Sequence, residues 1–267
     1  MHKPVKVSPI SKRELMAVRA QLKALSKTFV ASGKGEFVSY VQSAIQNEAS
    51  LDRHVRAFEL YAPYISPGST VLDWGCRQAP DACMLAALKK DYKMNGADFM
   101  SDDFSVFHGF AKLAYKQLEH EYKLPYPDVH FDAVISAGVL EHTALEAESL
   151  REIWRVLKEG GIFVITFLPN RWSLTENLGR MLGSMAGHNR LYDLAETRKV
   201  LLRSGFVIES CGYHQVFPTF AKAVKGNAVV DLLAGFLAKM NRPLERIFPI
   251  NRLSANLYFV LRRVSAM

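Results

Sequence analysis

Cysteine is scarce in this 267-residue chain: Cys76, Cys83 and Cys211 are the only three, and no cysteine–histidine cluster has the spacing of a zinc site. An odd, sparse set of thiols argues against a disulfide framework and is typical of a reducing compartment. The N-terminal segment lacks the apolar stretch of a secretory signal. Near the C-terminus, the apolar run 226–238 contains Asp231 and is shorter than the roughly 20 residues that cross a bilayer. We therefore expect a soluble, cytoplasmic protein without a metal site.

Acidic residues are few at both ends of the chain, which therefore carry a net positive charge. The net charge of the whole chain is +8. Residues 1–30 carry seven lysines and arginines against one glutamate, and residues 217–267 carry eight against two acidic residues, so each end has a charge of +6. Such ends either contact an anionic partner, such as phospholipid, a nucleotide-linked sugar or RNA, or form solvated helix faces. Peripheral contact with a membrane thus stays open.

The periodicity of apolar residues predicts alternating strands and helices. Ser11 and Glu14 form a capping box that opens a helix to about Phe29, and a second helical pattern covers about 50–64. Beyond these, we predict helices at about 80–90, 145–157 and 190–204, and strands at 70–74, 92–98, 131–136, 162–168, 206–213 and 255–264. This alternation predicts a parallel sheet that is covered by helices on both faces.

In such open sheets, ligands bind beyond the carboxyl ends of the strands, so the residues that follow strands are candidates for a site. Asp98 ends the second strand and can bind the two hydroxyls of a ribose, while the neighbouring Phe99 can pack on an adenine ring. Glycine at the end of the first strand lets the backbone approach a ligand closely, since it has no side chain. That first segment comprises Asp73, Trp74, Gly75 and Cys76.

Four segments, in this order and spacing, resemble the class I S-adenosylmethionine-dependent methyltransferases of the type 11 subgroup. They are VLDWGC (71–76), GADF (96–99), LPY with FDAVISAGVLEH (124–142), and LREIWRVLKEGG with IFVITF (150–167). The resemblance covers about 50–213. It implies that the first segment holds the methionine end of the cofactor, the second holds the ribose, and the third lines the adenine and the methyl-transfer point. The implied cofactor-binding residues are Asp73, Trp74, Gly75, Cys76, Arg77, Asp98, Phe99, Tyr126, Ser136, Gly138, Val139 and His142.

The resemblance also implies an α/β, Rossmann-like, doubly wound sheet of seven mostly parallel strands with an antiparallel last strand. We predict an N-terminal helical extension (1–66), a methyltransferase core (67–216), a helical insertion (217–253) and a final core strand (254–267). The insertion is basic and apolar, and two interpretations stay open: a lid or surface element, or a segment that completes the core. Its apolar residues are Phe217, Phe220, Leu232, Leu233, Phe236 and Leu237.

The chain departs from the family pattern after Gly75, where the family usually continues Gly-x-Gly but this chain has Arg77 and Ala79. Arg77 either reaches the cofactor carboxylate through a charge-assisted hydrogen bond, or points to solvent or pairs with Asp81. A third interpretation is a degenerate site that binds the cofactor poorly. The family also tends to place an acidic adenine contact before LPY; Glu119 and Glu121 are near that place, and the sequence assigns the role to neither.

Methyl transfer from a sulfonium needs alignment of the reacting atoms, and a hydroxyl acceptor also needs a base to remove its proton. We predict O-methylation of a small-molecule, glycan or lipid-linked acceptor. The candidate bases, His188, His214 and Tyr192, follow the later predicted strands, and imidazole has a suitable pKa. Arg171 and Arg190 are candidates for holding an anionic acceptor.

Three other classes of function would require other sequence features. A dinucleotide oxidoreductase would carry Gly-x-Gly-x-x-Gly after the first strand, where this chain has Arg77 and Gln78. A nucleic-acid methyltransferase would fit the basic charge. However, the stretch 136–139, Ser-Ala-Gly-Val, replaces the Asp/Asn-Pro-Pro-aromatic motif of amino-directed enzymes, so we expect no nucleic-acid partner. A cofactor-binding scaffold without catalysis is the third alternative.

Overall fold

The computed structural model describes residues 9–33, 37–100, 104–181, 188, 190–217, 236–237 and 239–264. Its helices are α1 (Lys12–Ser32), α2 (Val38–Val41), α3 (Glu48–Tyr61), α4 (Pro80–Ala87), α5 (Ser105–Ala111), α6 (Glu146–Val156), α7 (Leu174–Met181) and α8 (Leu194–Arg203). Its strands are β1 (Thr70–Trp74), β2 (Lys93–Asp98), β3 (Ala114–Gln117), β4 (Phe131–Ala137), β5 (Leu157–Pro169), β6 (Phe206–His214) and β7 (Asn256–Arg263).

The seven strands form one sheet in the order β3-β2-β1-β4-β5-β7-β6. The first five pair in parallel, and β7 lies antiparallel to both β5 and β6. This confirms the Rossmann-like sheet with its antiparallel last strand. Strand order reverses between β1 and β4, and that reversal leaves a crevice at the carboxyl ends of these two strands.

The core has two halves because successive residues of a strand point to opposite faces of the sheet. In β1, Val71 belongs to the half that α1, α3, α4 and α5 cover, whereas its neighbour Leu72 belongs to the half under α6 and α8. The same alternation separates Ile135 from Val134 in β4. Both faces of the sheet are therefore buried, as the alternation of strands and helices predicts.

The N-terminal helices are held to the sheet by polar contacts as well as by packing. The capping box at Ser11 and Glu14 forms as predicted and starts α1. The Tyr61 hydroxyl, at the end of α3, donates to Asp81 Oδ1 of α4 over 2.5 Å. This bond fixes α3 beside the first turn of α4, so that the middle of α3 lies over the carboxyl end of β5.

The secondary structure differs from the sequence-based expectation in several places, and helices α2, α5 and α7 were not predicted. The edge strand β3 was not identified, because its four residues are short, mostly exposed and without apolar alternation. Strand β5 begins at Leu157 instead of Ile162, because Leu157 pairs with Phe131 before the register shifts. Helix α6 consequently ends at Val156, four residues before Gly160.

Only the ends of the predicted insertion 217–253 can be described; Phe220, Leu232 and Leu233 lie outside the described residues. At its near end, the Phe217 N–H donates to Asn241 Oδ1 over 2.6 Å, which closes the two ends of the insertion on each other. Within the described ranges, no helix combines the length and the apolar character that crossing a membrane requires.

Candidate active site

Two adjoining cavities lie in the crevice at the carboxyl ends of the strands. The Asp98 cavity, of about 230 Å³, lies beyond β1 and β2, and its walls include Trp74, Asp98, Phe99, Leu118 and Val139. The Arg53 cavity, of about 250 Å³, lies between α3 and the ends of β4 and β5, and its walls include Arg53, His54, Glu141, Phe167 and His188. Both share four wall residues, Gly75, Arg77, Gly138 and His142.

The loop after β1 forms the boundary between the cavities and has an unusual backbone. Gly75 has a φ of 68°, and a side chain there would place its Cβ 2.4 Å from Val139 Cγ2. Arg77 and Ala79, at the positions where the family has glycine, also adopt left-handed φ values of 42° and 53°. The departures in sequence thus keep the backbone that glycine would adopt, at a cost of about 1–2 kcal/mol for each residue.

Asp98 is held rigidly at the end of β2. It is 7% exposed; its Oδ2 accepts the Arg77 N–H over 2.9 Å, and its Oδ1 accepts the Met100 N–H over 3.1 Å. Each carboxylate oxygen accepts one of these bonds and has capacity for another, and Asp98 lines the cavity. This arrangement is suited to accept hydrogen bonds from a vicinal diol, and the exposed Phe99 ring beside it offers an apolar surface.

Most of the predicted cofactor-binding residues line one or both cavities: Asp73, Trp74, Gly75, Cys76, Arg77, Asp98, Phe99, Gly138, Val139 and His142. Tyr126 and Ser136 line neither. The Tyr126 hydroxyl donates to the Gly96 carbonyl over 3.0 Å, and its ring packs in the core on the α6 face. Ser136 is fully buried in the middle of the sheet, between Trp74 of β1 and Ile165 of β5.

Arg77 is exposed and lies at the mouth of both cavities, with its guanidinium carbon 5.7 Å from the centre of the Tyr40 ring. No ion pair joins Arg77 to Asp81 in the described part of the chain, because the buried Asp81 carboxylate faces Tyr61 instead. Two contacts fix the Arg77 backbone: its N–H donates to Asp98 Oδ2, and its carbonyl lies 2.6 Å from His108 Nε2. The Arg77 side chain therefore borders the cavities and leaves them open.

Among the three candidate bases, His188 lines the Arg53 cavity. Its N–H donates to Glu176 Oε1 over 2.9 Å, and its Nδ1 lies 3.4 Å from Glu176 Oε2, so helix α7 fixes both its backbone and its ring. The ring centre lies 6.4 Å from that of His142. A carboxylate on Nδ1 favours the tautomer whose Nε2 is free to accept a proton.

The structure places Tyr192, Arg190 and Arg171 outside both cavities. The Tyr192 hydroxyl donates to the Leu140 carbonyl over 3.3 Å, and Arg190 reaches Glu146 over 3.3 Å, so these two support the turn Leu140–His142 from behind. Arg171 lies on the surface, 3.3 Å from Glu196.

His214 lines neither cavity, although its ring centre lies 5.9 Å from that of Phe167. It is 2% exposed at the end of β6, and its Nδ1 is 3.5 Å from Glu245 Oε1. The same glutamate pairs with Arg56 of α3. This cluster joins the end of the insertion to the N-terminal helices.

Sequence reasoning missed several residues of the Arg53 cavity, among them Arg53, His54, Glu141, Phe167 and Asn256. Glu141 directly precedes His142 in the segment VLEH, so its position next to a predicted cofactor-binding residue could have identified it. Arg53 and His54 lie in the helical pattern 50–64, where they read as an ordinary polar face. Asn256 comes from β7, more than 180 residues after Asp73, and no local pattern connects them.

Burial shifts the acid–base properties of the Arg53 cavity. Burial raises the pKa of Glu141 to about 7 and that of Asp81 to about 6, and it raises the pKa of Asp73 well above its usual range. Burial, with help from His188 and Arg77, lowers the pKa of His142. At neutral pH the cavity therefore contains a neutral imidazole next to a carboxyl group that is close to its titration point.

Three buried polar atoms on the wall of this cavity have no hydrogen-bond partner among the described residues: Arg53 Nε, Gln78 Nε2 and Glu141 Oε2. Buried polar groups are nearly always paired in native proteins, and exceptions cluster at binding sites. Three such atoms around one cavity indicate that it is built to receive a polar ligand.

The comparisons with known proteins agree with this geometry. A family model described as a methyltransferase domain, type 11, matches residues 72–165. A protein of Mycolicibacterium smegmatis, named a probable S-adenosylmethionine-dependent methyltransferase, is 31% identical over 144 residues, which cover 53% of each chain. A fatty-acid O-methyltransferase of the same organism is 31% identical over 112 residues, or 41% of this chain and 40% of the relative. The matches thus span about half or less of these curated relatives.

A solved structure of a similar fold is a SAM-dependent methyltransferase from Archaeoglobus fulgidus, with a TM-score of 0.58 and 17% identity over 86% of this chain and all of that one. At this level of identity, the likeness concerns the fold alone. The family model matches the segment that contains most of the quoted motifs and the strands β2 to β4 of the sheet. Residues 72–165 thus form a methyltransferase domain of the type 11 family of class I S-adenosylmethionine-dependent methyltransferases.

Proposed function

We propose that the chain as a whole is an active enzyme that transfers the methyl group of S-adenosylmethionine to a hydroxyl oxygen of a small-molecule, glycan or lipid-linked acceptor. The observation that carries the proposal is the meeting of two cavities at Gly75, Arg77, Gly138 and His142. One cavity contains the Asp98 carboxylate, which suits the two hydroxyls of a ribose, and the other contains His188 with its Nδ1 3.4 Å from Glu176 Oε2.

The residues present fit the cofactor. Asp98 would accept hydrogen bonds from the ribose hydroxyls, and Phe99 would pack on the adenine. The bare backbone at Gly75 would allow the methionine part to pass between the cavities, where a side chain at this position would collide with Val139. Arg77, at the mouth of both cavities, would hold the methionine carboxylate. S-adenosylmethionine supplies an electrophilic methyl group on a sulfonium.

On the acceptor side, His188 Nε2 would take the proton of the acceptor hydroxyl while Glu176 holds the other ring nitrogen. His142 would line the path between the cavities as a neutral ring, since its pKa is lowered. Helices α3 and α7 would enclose the acceptor and exclude water. Alignment within this enclosure can contribute about 7–11 kcal/mol to lowering the barrier.

A fatty-acid O-methyltransferase among the relatives supports transfer to oxygen, although it aligns over only part of its length. The test is a methyl-transfer assay with isotopically labelled S-adenosylmethionine and a panel of hydroxylated small molecules and glycolipids. We expect label in an ether product, identified by mass spectrometry. Cofactor binding by titration calorimetry without transfer to any hydroxyl acceptor would favour the alternative of a non-catalytic scaffold. Label found only in amines or RNA would contradict the choice of acceptor.

A further inference from the structure

Helix α3 carries two arginines one turn apart, and they differ in their pairing. Arg56 forms an ion pair with Glu245, and its side chain is 16% exposed. Arg53 forms no hydrogen bond or ion pair with any described residue, and its Nε is buried. Its guanidinium carbon lies 5.1 Å from the centre of the Phe167 ring, which orients the cation over the carboxyl end of β5 and toward the cavity.

The carboxyl groups of the same cavity do not neutralise Arg53. Asp73 Oδ2 accepts the Ala82 N–H over 3.2 Å, Asp81 accepts the Tyr61 hydroxyl, and Glu141 lies on the turn Leu140–His142. None of the three forms an ion pair with Arg53. Burial also lowers the pKa of Arg53, although Tyr40 offsets part of this change. The Arg53 side chain is half-buried, with its Nε fully buried and its guanidinium facing the cavity without a counter-ion among the described residues. Leaving such a cation unpaired is costly, and a bound anion would supply the opposite charge.

We propose that Arg53 binds a carboxylate of the methyl acceptor, so that the acceptor is a small hydroxy acid with its carboxylate at Arg53 and its hydroxyl at His188. This rests on the proposed function. One guanidinium in a cavity with three carboxyl groups matches a single negative charge better than a phosphate dianion. Arg171 and Arg190, the sequence-based candidates for this role, are paired elsewhere. The acceptor also has to be small, because the cavity measures about 250 Å³.

The methionine carboxylate of the cofactor has the same chemistry, so the source of the anion has to be distinguished. Arg53 lies over Phe167 of β5, whereas the loop after β1, which adjoins the methionine position, carries its own cation in Arg77. We therefore expect Arg53→Gln to leave the affinity for S-adenosylhomocysteine within twofold of the wild type. A tenfold loss, with unchanged affinity for 5′-methylthioadenosine, which lacks the carboxylate, would assign Arg53 to the cofactor and overturn the proposal.

The direct probe is benzoate, compared with its neutral analogue benzamide, titrated by NMR into the full-length protein with and without S-adenosylhomocysteine. We expect benzoate to bind at least tenfold more tightly than benzamide, Arg53→Gln to abolish this preference, and Arg53→Lys to retain part of it. Arg56→Gln, the matched control on the same helix, should keep the preference. Equal binding of the two probes to the wild type would overturn the proposal.

Stability supplies a second readout that does not depend on any ligand. Removing a half-buried cation that has no counter-ion in the described part of the chain should raise the melting temperature of Arg53→Gln, whereas breaking the Arg56–Glu245 pair should lower that of Arg56→Gln. A lower melting temperature in both variants would mean that Arg53 has a structural partner. Because neither measurement involves methyl transfer, benzoate selectivity with no turnover would refute the proposed function and leave the carboxylate site standing.

Discussion

The Asp98 cavity and the Arg53 cavity share a wall, yet their construction differs. The first is made mainly by residues that directly follow β1, β2 and β4 in the chain, and backbone N–H groups orient its key carboxylate. The second is assembled from α3, the end of β5, His188 and the start of β7. The first presents a regular hydrogen-bonding edge, and the second presents several buried groups that lack partners or have shifted pKa values.

This difference indicates which part of such a fold can determine the choice of methyl acceptor. Strand tips of a parallel sheet meet at one edge whatever the rest of the chain does, so a cofactor cavity can be conserved in shape by short local motifs. The second cavity depends on helices added before the sheet and on loops after it. If the second cavity binds the acceptor, as proposed, changes there would alter the acceptor while the Asp98 cavity stays the same.

The variant with the largest expected effect tests whether methyl transfer takes place at the Arg53 cavity. His188→Ala should lower turnover by about 10²- to 10⁴-fold, because the acceptor hydroxyl loses its base. The affinity for S-adenosylhomocysteine should stay unchanged, since His188 does not line the Asp98 cavity. The exposed His120→Ala serves as a control that should retain full turnover. Normal turnover in His188→Ala would remove it as the base and blur the contrast between the cavities.

The next effect concerns the cost of burying the Glu141 carboxylate in the Arg53 cavity, which makes the free energy of unfolding depend on pH. The pKa of Glu141 is about 7 in the folded protein and near its ordinary 4.5 in the unfolded chain, so the folded state holds the proton more tightly. The unfavourable contribution is absent below pH 4.5, grows as the pH rises to 7, and stays constant above it at about 3 kcal/mol.

The variant Glu141→Gln removes this pH dependence, because it has no proton to lose. Its free energy of unfolding should exceed that of the wild type by about 3 kcal/mol more at pH 8 than at pH 4.5. Glu119→Gln, at an exposed glutamate, is the control and should follow the wild type. Denaturant titrations at both pH values measure the difference. A constant gap across that range would mean that Glu141 is not buried as a carboxylic acid.

The same contrast explains what could be predicted from the sequence. The alternation of strands and helices, the capping box and most residues of the Asp98 cavity follow from short stretches in which residue type and position are read together, such as Asp73 to Cys76. Tyr126 belongs to the LPY segment, which the resemblance also assigned to the cofactor, but its ring packs in the core and its hydroxyl donates to the Gly96 carbonyl. Arg53 and Asn256 carry no local signal, because only tertiary packing brings them to the cavity.

A smaller effect sharpens the assignment of the first cavity. Asp98→Asn should weaken binding of S-adenosylhomocysteine by about 1.5–3 kcal/mol, the usual range for a hydrogen bond to a charged group. Because Asp98 also accepts two backbone N–H bonds, thermal melting has to accompany the calorimetric titration. Asp128→Asn, which lies outside both cavities, is the control. Unchanged affinity in a folded Asp98→Asn variant would refute the role of Asp98 on the ribose.

The smallest effect lies at Arg77, on the wall that the two cavities share. Arg77→Gly restores the residue that the family usually has there, and glycine adopts the left-handed φ of 42° without strain. We expect affinity for S-adenosylhomocysteine to fall by about tenfold, near the lower limit for a charge-assisted bond because the side chain is exposed. Affinity for 5′-methylthioadenosine should not change, since it has no carboxylate for Arg77 to hold. If both ligands bind Arg77→Gly as they bind the wild type, Arg77 points to solvent, and the backbone of its loop is then the part that the cofactor uses.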